Sequence, residues 1–438
     1  MTAVTTVYPL TLEQEAIWVD DYLGDGPSCY LESWVHQFTG PLDHEAVRHA
    51  WSVTAGRHDA LRSTFGLDHD DEAGPVQKVL PTLEHSALVV HDCAAGILEA
   101  TVRDLVTAPM DLDAGAVRAT LLDVDADTAV LVVQLHHIVT DDWSLHLMER
   151  EFQELYTAAV EGRAPVLNPV PLQPGPYAVR QRAAPTDPAA TSYWRLQLAD
   201  QRDGPGPSAG GPAERLLFTI EAPLARRLRR LCGRLRVTPF TAFLATTAVV
   251  LCADGAGEDL AGATPVSRRG SSELDQVVAP LSQLLPLRLR VRLDDSFADL
   301  VAQARTTTHE AINFGGITHP ELTRLTRRRG RSRNHLTAFA LVLDDASDAT
   351  LSLPGVDVER LHVFSGITKT SLCLYVTAIG ARYECMLDHV VEHYRTADAR
   401  LLIDRTLALL DTVATDASIT VGSLIDALVT QAVSPPAR

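Results

Sequence analysis

The chain has 438 residues, 46% hydrophobic and 21% charged, the proportions of a soluble globular protein with room for two or three domains. With 56 acidic against 38 basic residues the net charge is −18, which repels nucleic acid and anionic membranes at long range and argues against both as partners. Six cysteines (Cys29, Cys93, Cys232, Cys252, Cys373 and Cys385) lack the close spacing of zinc ligands, so no metal site is expected and reduced, mostly buried thiols are.

The N-terminus, MTAVTTVYPLTLEQEAIW, has no basic start, continuous apolar stretch or small-residue cleavage site. It reads as lacking a secretory leader, and a cytoplasmic location is expected. Residues 129–136 (AVLVVQLH) form a valine-rich run suited to a strand buried on both faces. After a short loop, Met148, Phe152, Leu155 and Ala159 line one face of a helix over 143–160. Ser144 sits near its start, where a hydroxyl can cap free N–H groups. Seven prolines between Ala164 and Pro188 make a poor context for helix or central strand and divide the chain into residues 1–170 and 171–438.

DGPGPSAGGP (203–212) reads as an exposed loop, and its formal GxSxG match lacks the flanking strand and helix of a hydrolase elbow. LLFTIEAP (216–223) suits a strand. Residues 224–240 follow as an amphipathic helix, with Leu224, Leu228, Leu231 and Leu235 inside and a basic outer face. The apolar run Phe240 to Ala253 is too short to span a bilayer and reads as a buried helix. LPLRLRVRL (285–293) alternates like a half-buried strand. Six of the ten residues from Arg324 to Arg333 are arginine, either a solvated loop or helix end, or a docking patch for an acidic partner. A mixed α/β fold follows.

The chemistry concentrates in HHIVTDDWS (136–144). A histidine at the end of a buried strand is held rigidly, and its near-neutral pKa lets it accept a proton from an attacking amine or alcohol. An aspartate four residues later can fix the loop by pairing with an arginine. These are the parts that acyl transfer needs when donor and acceptor enter together. A lone HxxxD read without its context is more often a pair of ordinary interior histidines, because the pattern is short. No GxxxxGK[ST] or GxGxxG run supports nucleotide binding.

With its context the segment resembles the HHxxxDGxS signature of nonribosomal peptide synthetase condensation domains, followed by that family's helix. YPLTLEQEAIW (8–18), RHDALRSTF (57–65), YWRLQLA (193–199), GATPVSRR (262–269) and LLPLRLRV (284–291) are similar to further family motifs, in order, along nearly the whole chain. The resemblance implies two lobes like chloramphenicol acetyltransferase, in a V-shaped pseudo-dimer with a central tunnel. It implies donor and acceptor entering from opposite faces, usually as thioesters on the 4'-phosphopantetheine arms of peptidyl or acyl carrier proteins, and no cofactor bound by the protein itself. The acceptor is a small molecule or carrier-bound.

His137 then takes the catalytic position, as general base or as a group that orients the nucleophile. His136 and Ser144 are supporting residues, and Asp141 is expected to pair with Arg62. Asp142 and Trp143 are candidates for lining the tunnel. Arg327, Arg328 and Arg329 are candidates for docking a carrier protein. Departures are Asp142 for the family's glycine, Ala279 and Gln283 for glycine and asparagine, and Ser371 for an aspartate. The resemblance implies an amide-forming, less readily ester-forming, condensation enzyme. A coenzyme A-dependent acyltransferase and a catalytically degenerate platform that recruits partner enzymes remain alternatives. Leu145 stands where epimerisation domains carry tryptophan. The short lead before the first motif suggests a free-standing protein.

Overall fold

The computed structural model describes residues 5–24, 27–68, 74–84, 86–199, 211–326, 339–344 and 351–431. Two compact units emerge. The first comprises Met1–Pro185, Ser267–Gln283 and Ala349–Ser365; the second comprises Thr186–Val266, Leu284–Asp348 and Gly366–Arg438. The boundary expected at 170/171 does not coincide with them, and neither unit is one continuous stretch.

The first unit opens with β1 (Thr6–Pro9), α1 (Leu12–Tyr22), β2 (Leu31–Thr39) and α2 (His44–Arg57). It continues with β3 (Ser63–Leu67), β4 (Pro75–Val79), β5 (Leu88–Asp92), α3 (Leu98–Thr107), β6 (Val117–Asp125) and β7 (Thr128–His136). Helices α4 (Asp142–Glu161) and α5 (Pro174–Ala183) follow. A small antiparallel sheet has the order β1-β4-β3.

The main sheet runs β12-β2-β7-β6-β5, where β12 (Asp357–Arg360) comes from the last inserted segment. β7 is its centre, and its valine-rich composition follows from what lies on each side. Leu131, Val133 and Leu135 pack with Trp51 and Phe152 of α2 and α4, while Val130 and Val132 pack with Val102 and Val106 of α3. A strand covered on both faces has no position for solvated side chains.

Helix α4 matches the expected span, but its cap is Asp141 rather than Ser144: the Asp141 side chain accepts from the Ser144 N–H. The helix ends on Gly162, whose φ of 66° is the left-handed conformation that glycine adopts freely. The proline-rich stretch does hold a helix, α5. Its prolines fall in the first turn, where the missing N–H groups would have had no helical partner.

The second unit contains α6 (Pro188–Gln197), β8 (Ala213–Ile220), α7 (Ala222–Leu235), α8 (Pro239–Ala253), β9 (Asp259–Ser267) and β10 (Ser282–Arg290). Then come α9 (Phe297–Asn313), α10 (His319–Thr326), β11 (Phe339–Asp344), β13 (Leu372–Ile379), β14 (Arg382–Val390), α11 (Thr396–Thr415) and α12 (Val421–Gln431). Its sheet has the order β10-β9-β11-β13-β14-β8. Helix α7 buries Leu228 and Leu231 and turns its arginines outward, and α8 is buried along most of its length, as its sequence predicts. Among the described residues no single helix is long and apolar enough to cross a membrane.

One polar cluster interrupts the first unit's core. The Trp34 indole N–H donates to Glu149 Oε1 at 2.7 Å, and His36 Nε2 lies 3.6 Å from the same oxygen. Burial, with Arg360 and His362 adding to it, pushes His36 down to about 3; burial raises Glu149. Below its ordinary value of 6.5 the unfolded chain protonates this histidine while the folded chain refuses the proton. Stability is therefore lost as pH falls. From pH 7.5 to 5.5 this group should cost about 1.4 kcal/mol, with Glu149 working in the opposite sense closer to the carboxylate range. Chemical denaturation at both pH values should show His36→Gln losing that much less stability than the parent; an unchanged difference would refute the assignment.

Candidate active site

The site is built at the end of β7. Register pairs Leu31 of β2 with His136, and the His137 N–H donates to the Tyr30 carbonyl at 2.7 Å. The two histidines therefore leave the sheet held by backbone on their β2 side, and their surroundings differ sharply.

His136 is fully buried. Its Nδ1 accepts from the Ile138 N–H at 3.2 Å, which assigns the ring proton to Nε2. Nε2 then faces Ser28 Oγ at 3.2 Å and Asp21 Oδ2 at 3.4 Å. Burial raises the Asp21 carboxyl, but hydrogen bonds from His136 and Ser28 outweigh it and hold the group below its usual value. With both nitrogens engaged, His136 braces the loop.

The His137 side chain is 23% exposed. Its Nδ1 lies 2.7 Å from Glu32 Oε1, and its ring stacks at 6.3 Å on Tyr30. The approach to Glu32 is close but not aligned as a hydrogen bond. No group among the described residues bonds Nε2, which is left to meet a reactant. Burial, then Cys29 and Asp20, push the Tyr30 phenol well above its ordinary range, so it stays a neutral donor to Asp20 Oδ2 at 2.8 Å.

Asp141 anchors the far end of the loop. Its Oδ1 accepts from the Ser144 N–H (2.9 Å), Ser144 Oγ (2.6 Å) and Arg269 Nη2 (2.9 Å). Its Oδ2 accepts from the Leu281 N–H (3.0 Å) and Ser282 Oγ (3.2 Å). Arg269 also donates to the carbonyls of Leu274, Val277 and Ala279. The expected Asp141–Arg62 pair is not formed. Arg62 instead holds Asp59 at 2.6 Å and the Leu80 carbonyl, bracing its own short helical turn and β4. The basic residue that reaches Asp141 comes from GATPVSRR, because Ser267–Gln283 belongs to the first unit.

Ser144 is spent on Asp141 and on the backbone of Ala279, so its hydroxyl is structural. Asp142 opens α4 and is exposed, at the helix end that favours a negative charge. Trp143 is 44% exposed and its indole N–H donates to the Asp275 carbonyl at 2.9 Å. Arg327, Arg328 and Arg329 lie outside the described residues.

Two contributors escaped the sequence reading. Glu32 carried no motif signal; only the pairing of β2 with β7 brings it to His137. Gln14, within the opening motif, donates from Nε2 to the Ile138 carbonyl at 3.2 Å, tying α1 to the loop that follows the histidines. No group of three or more His, Cys, Asp or Glu among the described residues is placed to hold a metal ion.

The pair at Asp141 gives a direct test. Both side chains are about 2% exposed, so Asp141→Ala or Arg269→Ala strands a buried charge and should cost about 3–5 kcal/mol. Arg62→Ala removes a partly exposed contact and should cost about 1 kcal/mol. Denaturant titration of the three variants checks the order; equal losses for Arg62 and Arg269 would contradict the assignment.

The Condensation domain family model matches residues 4–428. The chain is 31% identical over 359 residues to the phosphinothricin tripeptide synthetase PhsC of Streptomyces viridochromogenes, covering 78% of this chain and 33% of that one. The chain spans a third or less of the length of the curated relatives it matches. Among solved structures, the X-domain of teicoplanin biosynthesis in complex with OxyB superposes with a TM-score of 0.82 at 22% identity, over 95% of both chains. The first condensation domain of the calcium-dependent antibiotic synthetase, in complex with a substrate analogue, gives 0.80 at 20% identity, over 95% of this chain and 98% of that one. The mixed α/β fold is thus that of condensation domains, and the chain belongs to the condensation-domain family of nonribosomal peptide synthesis.

Proposed function

We propose that this protein joins a carrier-bound acyl or aminoacyl thioester to an amine, forming an amide, with His137 as general base. The observation that carries this reading is the pairing of His137 Nδ1 with Glu32 while Nε2 remains open. A carboxylate beside Nδ1 favours the tautomer with its proton there and stabilises the imidazolium that forms when Nε2 accepts a proton.

The amine nitrogen attacks the thioester carbonyl carbon as Nε2 takes the amine proton. The tetrahedral oxyanion then collapses, the C–S bond breaks, and the imidazolium returns its proton to the departing sulfur to leave a thiol. A hydroxyl acceptor would follow the same course to an ester. Peptidyl or acyl carrier proteins deliver the donor, and the acceptor arrives free or carrier-bound. Asp141, Arg269, His136 and Gln14 act through the loop, keeping His137 at the end of β7.

A recruiting platform without chemistry is the second reading, and Asp142 in place of the family's glycine favours it. Turnover separates the two. Incubating the protein with acyl-loaded carrier protein, or acyl-coenzyme A, and amine or alcohol acceptors should yield a mass-resolved condensation product. His137→Ala should lower turnover on the order of 10²–10⁴-fold with the fold intact. Glu32→Gln, which keeps the side chain's shape and polarity without its charge, should lose less than Glu32→Leu. Undiminished product from His137→Ala would remove the general-base reading, and no product with any donor would favour the platform.

A further inference from the structure

A second feature of the first unit lies beside this site. A cavity of about 330 Å³ is lined by Trp18, Asp21 and Tyr22 of α1, by Phe65 to Leu67 of β3, and by residues 110–113. That volume is near the lower end for small-molecule sites. Phe65 is buried in its wall, and Trp18 and Tyr22 stack at 4.6 Å with their planes 12° apart. Three carboxylates (Asp21, Asp111 and Asp113) line the same space.

The placement of Asp113 is specific. A Cβ built on Gly66 would fall 1.9 Å from Asp113 Oδ1, so a side chain at that position would push the exposed carboxylate aside. The turn that carries it is fixed by the Asp113 N–H donating to Asp111 Oδ1 at 3.0 Å and by the Phe65 N–H donating to the Leu112 carbonyl at 2.9 Å. Neither Asp111 nor Asp113 forms an ion pair with a cationic side chain among the described residues. The carboxylates also do not converge as metal ligands do. Dispersed negative charge around aromatic walls suits a larger, organic cation, whose stem packs on the rings while its ammonium meets the carboxylates.

Asp21 lines the cavity and also meets His136, the buried neighbour of His137 in the chain. An amine held against carboxylates keeps its proton and cannot attack a carbonyl. The group held here is therefore not the nucleophile. We propose that the cavity binds a second, non-reacting ammonium group of the acceptor substrate, which makes the acceptor a diamine, a basic amino acid or a derivative of one. This rests on the amine-acceptor reading above.

Calorimetric titration of the whole chain with 1,5-diaminopentane, pentylamine and 1,5-pentanediol tests it without requiring turnover. Both amines should bind saturably and the diol at least about tenfold more weakly. The double variant Asp111→Asn/Asp113→Asn should weaken the diamine at least about tenfold, and Gly66→Ala should weaken it by displacing Asp113. His137→Ala should bind the diamine like the parent. Equal binding of the diol, undiminished binding by the double variant, or no amine binding at all overturns the cavity assignment and leaves condensation at His137 standing. Full turnover by His137→Ala overturns the general-base reading and leaves amine binding intact.

Discussion

Asp141 is a carboxylate taken almost wholly out of water, and the loop that carries the two histidines depends on how that charge is satisfied. An isolated buried carboxylate is too costly to persist; it needs an opposite charge and hydrogen bonds to its remaining lone pairs. Arg269 supplies the charge, and Ser144, Leu281 and Ser282 supply the bonds. The arrangement caps α4 at the same time as it fastens Ser267–Gln283 to the loop that follows the histidines. A single carboxylate thus fixes the start of a 20-residue helix, the return of a distant segment and the exit of β7.

The loop is also gripped from its other side. Gln14 bonds the Ile138 carbonyl while its Oε1 accepts from the Thr11 N–H and from Gln77 Nε2. These bonds are buried, where unmet donors and acceptors would cost far more than the bonds themselves contribute. His137 is left with little freedom except rotation about its own side-chain bonds, and the Tyr30 ring limits that as well. Rigid support of this kind lets an imidazole meet a reactant without reorganising.

How much of this could be read from the sequence depended on whether the information was local. β7 was legible because a strand packed on both faces must be apolar at every position, and α4 because its buried side chains recur at helical spacing. The histidine motif was legible because its meaning lies in nine consecutive residues. The partner of Asp141 was not. Arg62 and Arg269 both sit in recognisable motifs, and only the return of a segment 128 residues downstream decides between them. Glu32 was invisible for the same reason, since strand register is set by tertiary pairing. α5 was obscured by prolines that are harmful in a helix interior but harmless in its first turn.

The contrast between the two histidines bears on whether the site is catalytic. A platform requires only that the loop hold its shape, and His136, with both nitrogens engaged in the interior, already serves that end. The His137 side chain is placed differently: its ring is part-exposed and stacks on Tyr30, its Nδ1 faces a carboxylate, and its Nε2 is open. Bringing Glu32 to that position removes part of its hydration, a cost that a positive charge on the neighbouring ring would offset. In the proposed mechanism the ring becomes positive during the reaction, and the carboxylate beside Nδ1 then stabilises that charge. Glu32, which lies beside Nδ1, thus bears on the proposed chemistry more directly than the exposed Asp142.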